Sequence, residues 1–450
     1  MKRVLIICAC LPLLVLGGCA TDEGATTLTQ VLDNGAVVIV RENRSSEVVT
    51  VQVWIRDGAL YEPPAGRGAA YMLSGMVLDH TPKYPDGEIA RSIEAVGGEI
   101  AASSTHDYTH YKITLPSDGL ELALDVLIEG MTRASFSTAQ FESRRRTVLQ
   151  GLGWAYDQPI ERAHWLCLGA ALGDHPYGRP PQGTEETLFA ISLDELEGHY
   201  RDYYVGANIV AAIVGSFDAD ETAERARAVF GRLPDGTSAT PHGSPESWTA
   251  TAERRTVRSD VRKTYQVVAF PAPSVDDPDN VVMDIILMVL ERGYSSRLKR
   301  VLIEELDLVG SVTAGYVTRK HPSALFVWME LPPDNAKAAE DALLEICADL
   351  GEQAIGESEL EKAKTLIEAA TLFEHETIEG QAMYQGYWTS VGGIGFANEY
   401  LPALARVTAD DVRRVARTYL RPERRVTASV VPQWTSEESG SAPQSGGGSR

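Results

Sequence analysis

Along residues 48–55 apolar and polar side chains alternate, with Val49, Val51, Val53 and Ile55 set between Thr50, Gln52, Trp54 and Arg56. A period of two predicts a strand with one face on a core and the other less buried, the habit of antiparallel sheets. Just upstream, Asp33-Asn34-Gly35 is a tight-turn signal between β-prone runs. The period then lengthens. Leu120, Ala123, Leu124, Leu127, Ile128 and Met131 form a single helical stripe, which predicts a helix over 118–133. Similar patterns predict helices over 68–78, 87–96 and 138–156, and Ile209 to Gly215 reads as another apolar strand.

The helical pattern recurs. Leu115-Pro116-Ser117-Asp118 opens the first copy and Leu331-Pro332-Pro333-Asp334 the second, each with an Asp expected as N-cap. Ala123, Asp125, Leu127 and Glu129 return 216 positions later as Ala339, Asp341, Leu343 and Glu345. A strand-like run precedes each copy, over 111–115 and 325–331, so duplication is the better account. The expected class is α+β: two repeated domains, each a mostly antiparallel sheet packed with helices.

Composition sets the ends of these domains. Lys2 and Arg3 precede an apolar run too short to span a membrane comfortably, which closes on Leu16-Gly17-Gly18-Cys19. This resembles a bacterial lipoprotein signal, with cleavage after Gly18 and a lipid on Cys19; an ordinary secretory signal with a chance cysteine is the alternative. Residues 434–450, rich in Ser, Gly and Glu, read as a loose tail, and a Pro/Gly/Ser/Thr-rich stretch marks a linker over 233–253. The reading is therefore a signal peptide over 1–18, an anchor linker over 19–26, an N-terminal domain over 27–232 and a C-terminal domain over 254–433. No later segment has 18 consecutive apolar residues. Beyond Cys19 only Cys167 and Cys347 remain, each among apolar neighbours, and they read as small core residues.

Charge excludes further classes. With 41 Lys+Arg against 63 Asp+Glu the chain carries −22, and loss of Lys2 and Arg3 makes it −24. No basic stripe offsets this, so nucleic acid is not an expected partner, and 44% hydrophobic residues exclude intrinsic disorder.

A set of motifs then points to one family. Leu32-Asp33-Asn34-Gly35, Ile93-Glu94-Ala95-Val96-Gly97-Gly98, Asp107-Tyr108-Thr109, His175-Pro176-Tyr177-Gly178, Gly293-Tyr294-Ser295-Ser296-Arg297-Leu298 and Thr408-Ala409-Asp410-Asp411-Val412 occur in order along the chain. In that order the sequence resembles the pitrilysin/insulinase (inverzincin) zinc metallopeptidases, in particular their short two-domain subunits, which pair to enclose a chamber. The resemblance implies a helix carrying HxxEH, two zinc-binding His with the catalytic Glu between, and a later helix giving a carboxylate ligand. The matching positions here are Tyr71, Ser74 and Gly75, and then Gly151. A substrate-holding Arg and Tyr of the C-terminal half fall on Ile303 and Gly310.

Other chemistries find less. There is no G-x-S-x-G elbow, phosphate loop or C-x-x-C pair. His106 and His110, four apart in a strand-like segment, are too far apart to share a metal, and His80, His164 and His175 read as isolated surface or loop histidines. Arg144-Arg145-Arg146 reads as a solvated helix face. The expectation is a non-catalytic lipoprotein: no catalytic residue and no metal of its own, with zinc only in a partner. That partner would be an HxxEH-bearing paralogue sharing a peptide-filled chamber, and the pair would sit on the periplasmic face of the outer membrane. The alternatives are an autonomous envelope peptide-binding or scaffold protein, and an active zinc metalloendopeptidase with an unrecognised site.

Overall fold

A computed structural model describes residues 27–243, 248, 251–293 and 296–433. Cys19, the segments 1–18 and 19–26 and the tail 434–450 lie outside the described residues.

The N-terminal half opens with β1 (Thr27–Val31) and β2 (Val37–Glu42), joined by the predicted turn, where Gly35 takes φ +87°. β3 (Val48–Ile55) follows, then α1 (Ala69–Ser74), α2 (Glu88–Ala95), β4 (Glu99–Ser104) and β5 (Thr109–Pro116). Helices α3 (Leu120–Arg133), α4 (Thr138–Asp157), α5 (Pro159–Leu172), α6 (Glu185–Ala190) and α7 (Leu193–Tyr203) precede β6 (Ile209–Gly215) and α8 (Ala219–Phe230). The six strands form one sheet in the order β1-β2-β6-β3-β5-β4, antiparallel except for β2 beside β6.

The C-terminal half repeats this plan. Its strands are β7 (Glu253–Ser259), β8 (Thr264–Ala272), β9 (Ser311–Tyr316), β10 (Ser323–Leu331) and β11 (Val426–Pro432). Their order β7-β11-β8-β10-β9 copies β2-β6-β3-β5-β4 strand for strand, including one parallel pair, β7 with β11. Between strands run α9 (Asp279–Glu291), α10 (Arg297–Lys299) with a π-helical turn over Arg300–Glu305, α11 (Ala336–Glu352), α12 (Glu357–Glu374), α13 (Ile378–Gly392), α14 (Phe396–Arg406) and α15 (Ala409–Tyr419). The fold class is the expected α+β, two sheets with helices against them.

Two local expectations fail. Asp118 and Asp334 do not cap α3 and α11: each lies in a one-turn 3-10 helix, and Gly119 and Asn335 hold the cap positions without a side-chain bond. β3 is buried on both faces, not one. Its inner side chains Val49, Val51 and Val53 join the N-terminal core, while Trp54 and Gln52 are covered by α13 from the other half. The Gln52 amide donates to the Glu379 carbonyl at 3.0 Å, so its burial leaves that donor satisfied.

The exchange is mutual. α5 of the N-terminal half packs on β8 and β11 of the C-terminal sheet, with Cys167 buried there. Each half therefore lends a helix to cover its neighbour's second face. Between α8 and β7, Leu233 is buried and the Ala239 N–H donates to Asn208 Oδ1 at 2.7 Å, which ties the first part of the proposed 233–253 linker to the N-terminal half. No helix among the described residues is long and apolar enough to cross a membrane.

Candidate functional site

α1 carries three of the four positions that the resemblance assigns to zinc chemistry. Its N-terminus is held by Glu62, whose carboxylate accepts the N–H groups of Gly68 at 2.8 Å and Ala70 at 2.6 Å. Those orphan donors have no other cap, because Gly68 is left-handed at φ +106° and has no side chain to supply one. Burial pushes the Glu62 carboxyl up to about 7, against His199 and the two backbone N–H groups, which lower it.

The C-terminus of α1 is held from α4. The helix stops at Ser74, short of the 68–78 expected, because the last carbonyls are turned to another donor. Arg144 Nε donates to the Met72 carbonyl at 3.2 Å and Nη2 to the Tyr71 carbonyl at 2.8 Å. The guanidinium lies flush against Gly75, and a Cβ there would overlap its central carbon. Arg144 also stands 5.4 Å from the Tyr71 ring centroid, a cation–π contact.

This corrects the reading of Arg144-Arg145-Arg146 as one solvated face. Arg146 is exposed, but Arg144 turns inward to α1, and Arg145 covers the Phe141 ring and donates to the Ile191 carbonyl at 2.5 Å. Three consecutive helical residues spread over most of the circumference, so one had to face the core side. Arg144 is the residue that sequence reasoning missed. The signal was present: it lies three after Phe141 and four before Val148, both buried.

The remaining assigned positions offer little to a metal. Ser74 is buried and its hydroxyl donates to the Tyr71 carbonyl at 2.8 Å, one turn back in its own helix. Gly151 lies on α4 two turns beyond Arg144, and a Cβ there would meet nothing within 4 Å. The open space is the head of a cavity of about 340 Å³ between α1, α4 and α5, walled by Tyr71, Trp154, Tyr156 and Trp165, with Arg144 at its base. This donor set does not fit zinc, which takes thiolate, imidazole or carboxylate ligands. Two glycines supply none, and a guanidinium occupies the space a side chain at Gly75 would need.

Ile303 and Gly310 are remote from such chemistry too. Ile303 packs on the C-terminal core, and the Gly310 N–H donates to the Glu330 carbonyl at 2.8 Å as β9 begins.

His80 lies in a part-exposed loop as expected, with Nδ1 2.6 Å from Asp86 Oδ1, but His164 and His175 are not isolated, which corrects a second expectation. His106, in the turn before β5, has Nε2 on the Arg179 carbonyl at 2.8 Å and Nδ1 on Arg319 at 2.7 Å. His175 Nε2 is 3.2 Å from His321 Nδ1, and the Trp328 indole donates to His164 Nδ1 at 3.3 Å. Tyr177 donates to Asp107 and accepts the His321 N–H. Together they form the junction between the halves, 146 residues apart at the His175–His321 pair. Burial holds His106, His164, His175 and His321 below the ordinary imidazole range, with His164 and His175 near 4. His110 is elsewhere, with its Nε2 3.0 Å from Gln52 Oε1 under the stacked Trp54 ring. Among the described residues, no three His, Cys, Asp or Glu side chains are grouped to hold a metal.

Comparison with known proteins gives this architecture a family. The profile of the insulinase family (peptidase family M16) matches residues 37–185, and that of the peptidase M16 inactive domain matches residues 190–367. An uncharacterized zinc protease of Streptomyces coelicolor is 28% identical over 426 residues, covering 91% of this chain and 90% of its own. Another, of Bacillus subtilis, is 24% identical over 353 residues, 78% of this chain and 85% of its own. Among solved structures, a protease from Helicobacter pylori has a TM-score of 0.84 at 21% identity, covering 91% of this chain and all of that one. The peptidase M16 inactive domain from Pseudomonas fluorescens has a TM-score of 0.83 at 19% identity, covering 91% of this chain and 99% of that one. At such identities the structures speak for the fold alone, and the two profiles for the family: the chain belongs to the insulinase family of peptidases, as a two-domain member with both halves built on one plan.

Proposed function

We infer that this protein is a non-catalytic, lipid-anchored subunit of a peptide-degrading or peptide-processing heterodimer. The observation that carries this reading is the Arg144 guanidinium set against Gly75, where a metal ligand's side chain would stand. A fixed cation there repels a second one, and Tyr71, Ser74 and Gly151 provide no donor set to overcome the repulsion. The name zinc protease describes the relatives; for this chain, zinc and its hydrolytic water belong to an HxxEH-bearing paralogue. The shell would form half of a chamber that holds peptide, with Cys19 as the anchor at the periplasmic face of the outer membrane.

The test is co-expression with such a paralogue, followed by metal analysis and peptide cleavage by each chain alone and by the pair. The expected result is zinc in the paralogue only and cleavage only when it is present, raised by this chain. Stoichiometric zinc with chelator-sensitive cleavage by this chain alone would end the proposal. Failure to co-purify with any paralogue would favour the autonomous envelope binder instead. Cys19→Ser is expected to move the protein from the membrane fraction to the soluble one.

A further inference from the structure

The cavity beside α1 is more than a vacated space. Its base is a guanidinium that, among the described residues, uses two of its five N–H donors, both on backbone carbonyls, and forms no ion pair with a carboxylate. Other arginines of the chain do lie against acids, among them Arg145 on Glu142, Arg225 on Glu121 and Glu221, and Arg297 on Asp349 and Glu359. Glu161 is the acidic residue on the cavity wall, and it is not among the groups acting on Arg144. Burial lowers the pKa of the half-buried guanidinium.

The walls are apolar and aromatic. Trp154 is 70% exposed at the mouth, an unusual cost for an indole in water unless something covers it. Behind it the space of about 340 Å³ falls in the range of sites that enclose a small ligand group. A ligand that answers both features has a carboxylate at one end and a large apolar group beside it.

We propose that this cavity binds the C-terminal carboxylate of a peptide whose last side chain is aromatic or large and aliphatic, with Arg144 pairing the carboxylate and Trp154 and Trp165 flanking the side chain. Guanidinium and carboxylate match in shape, and the aromatic walls keep water from competing. The proposal rests on the reading that no metal occupies this cavity. It gives the non-catalytic subunit a task, that of holding one end of a peptide.

The experiment uses the full-length protein in detergent, tested with chelator present. Tryptophan fluorescence and calorimetry follow the binding of a short peptide ending in phenylalanine, as the free acid and as the C-terminal amide. The expected result is that the acid binds about tenfold to a hundredfold tighter, the difference made by a hydrogen bond to a charged group. Arg144→Gln should abolish the preference. Because that change also removes the cap of α1, Gly151→Leu serves as the second variant: it fills the cavity from a position where a Cβ meets nothing and leaves the Arg144 bonds in place. It should fold as the parent and lose the acid. Equal binding of acid and amide, no binding of either, or unchanged preference in Gly151→Leu overturns the proposal. Tight zinc binding without chelator instead overturns the subunit reading, whatever the peptides do.

Discussion

At Gly75 the absence of a side chain and the presence of a guanidinium are one feature seen from two sides. Arg144 reaches the carbonyls of Tyr71 and Met72 only because nothing projects from residue 75. Gly75→Ala is therefore expected to cost about 1–3 kcal/mol in urea denaturation, the range for leaving charge-assisted hydrogen bonds unmade. Arg144→Gln should lose a similar amount, and the double variant should lose less than the sum, because both act on the same contact. Strictly additive losses would show that the two sites are independent. Placing His, Glu, His and Glu at Tyr71, Ser74, Gly75 and Gly151 should still give poor zinc uptake by metal analysis until Arg144 is also replaced. The four positions are assigned from the order of the surrounding motifs. The arginine that fills their place could not be read as such, because a run of three arginines looks solvated unless the helix it sits on is known to have Phe141, Val148 and Leu152 buried on the same side.

The elements are exchanged between the halves, and this decides which substitutions hurt. A period of two in β3 fixed the strand and its inner face, yet the outer face is covered by α13, more than 300 positions later, a partner that local pattern cannot announce. Trp54, fully buried in that outer face, lies against Gly386, and a Cβ there would stand inside the indole ring. Gly386→Ala is expected to lower stability by about 1–3 kcal/mol or more, since neither the indole nor the helix can withdraw without opening the junction. Gly151→Ala is expected to do the reverse and raise stability by about 0.5–1 kcal/mol, the ordinary gain of alanine over glycine inside a helix where there is room. Thermal melts of the two variants check both signs. The contrast also bears on function: an unconstrained glycine in mid-helix is not demanded by the fold, and so leaves the cavity above it open for another reason.

The duplication read from a four-residue match at a spacing of 216 scales up to a whole sheet order, because a repeated strand-helix unit brings its strand partners with it. The histidine junction did not scale in that way, since His175 and His321 meet only once the two repeats are docked. Two groups make the molecule sensitive to pH in opposite senses, His164 at that junction and Glu62 at the N-terminus of α1. His164, held near 4 by burial and by Arg319, stays neutral in the folded state when the unfolded chain has already taken its proton near 6.5. Its contribution is complete above about pH 6.5 and is lost as the pH falls towards 4. The groups around it are His106, Trp165, Phe326, Trp328 and Arg319, none of them a carboxylate that could hold the proton. Glu62 has the opposite sign: its carboxyl, raised to about 7, binds a proton in the folded state before the unfolded chain does, so its contribution is complete below about 4.5 and is lost as the pH rises through 7. Between pH 7.5 and 5 each group therefore shifts stability by about 2 kcal/mol, the histidine downward and the carboxyl upward on acidification. Urea midpoints at the two pH values, compared with the parent, should show His164→Phe losing less stability on acidification and Glu62→Gln losing more. Variants whose pH dependence runs parallel to the parent would remove both groups from the account.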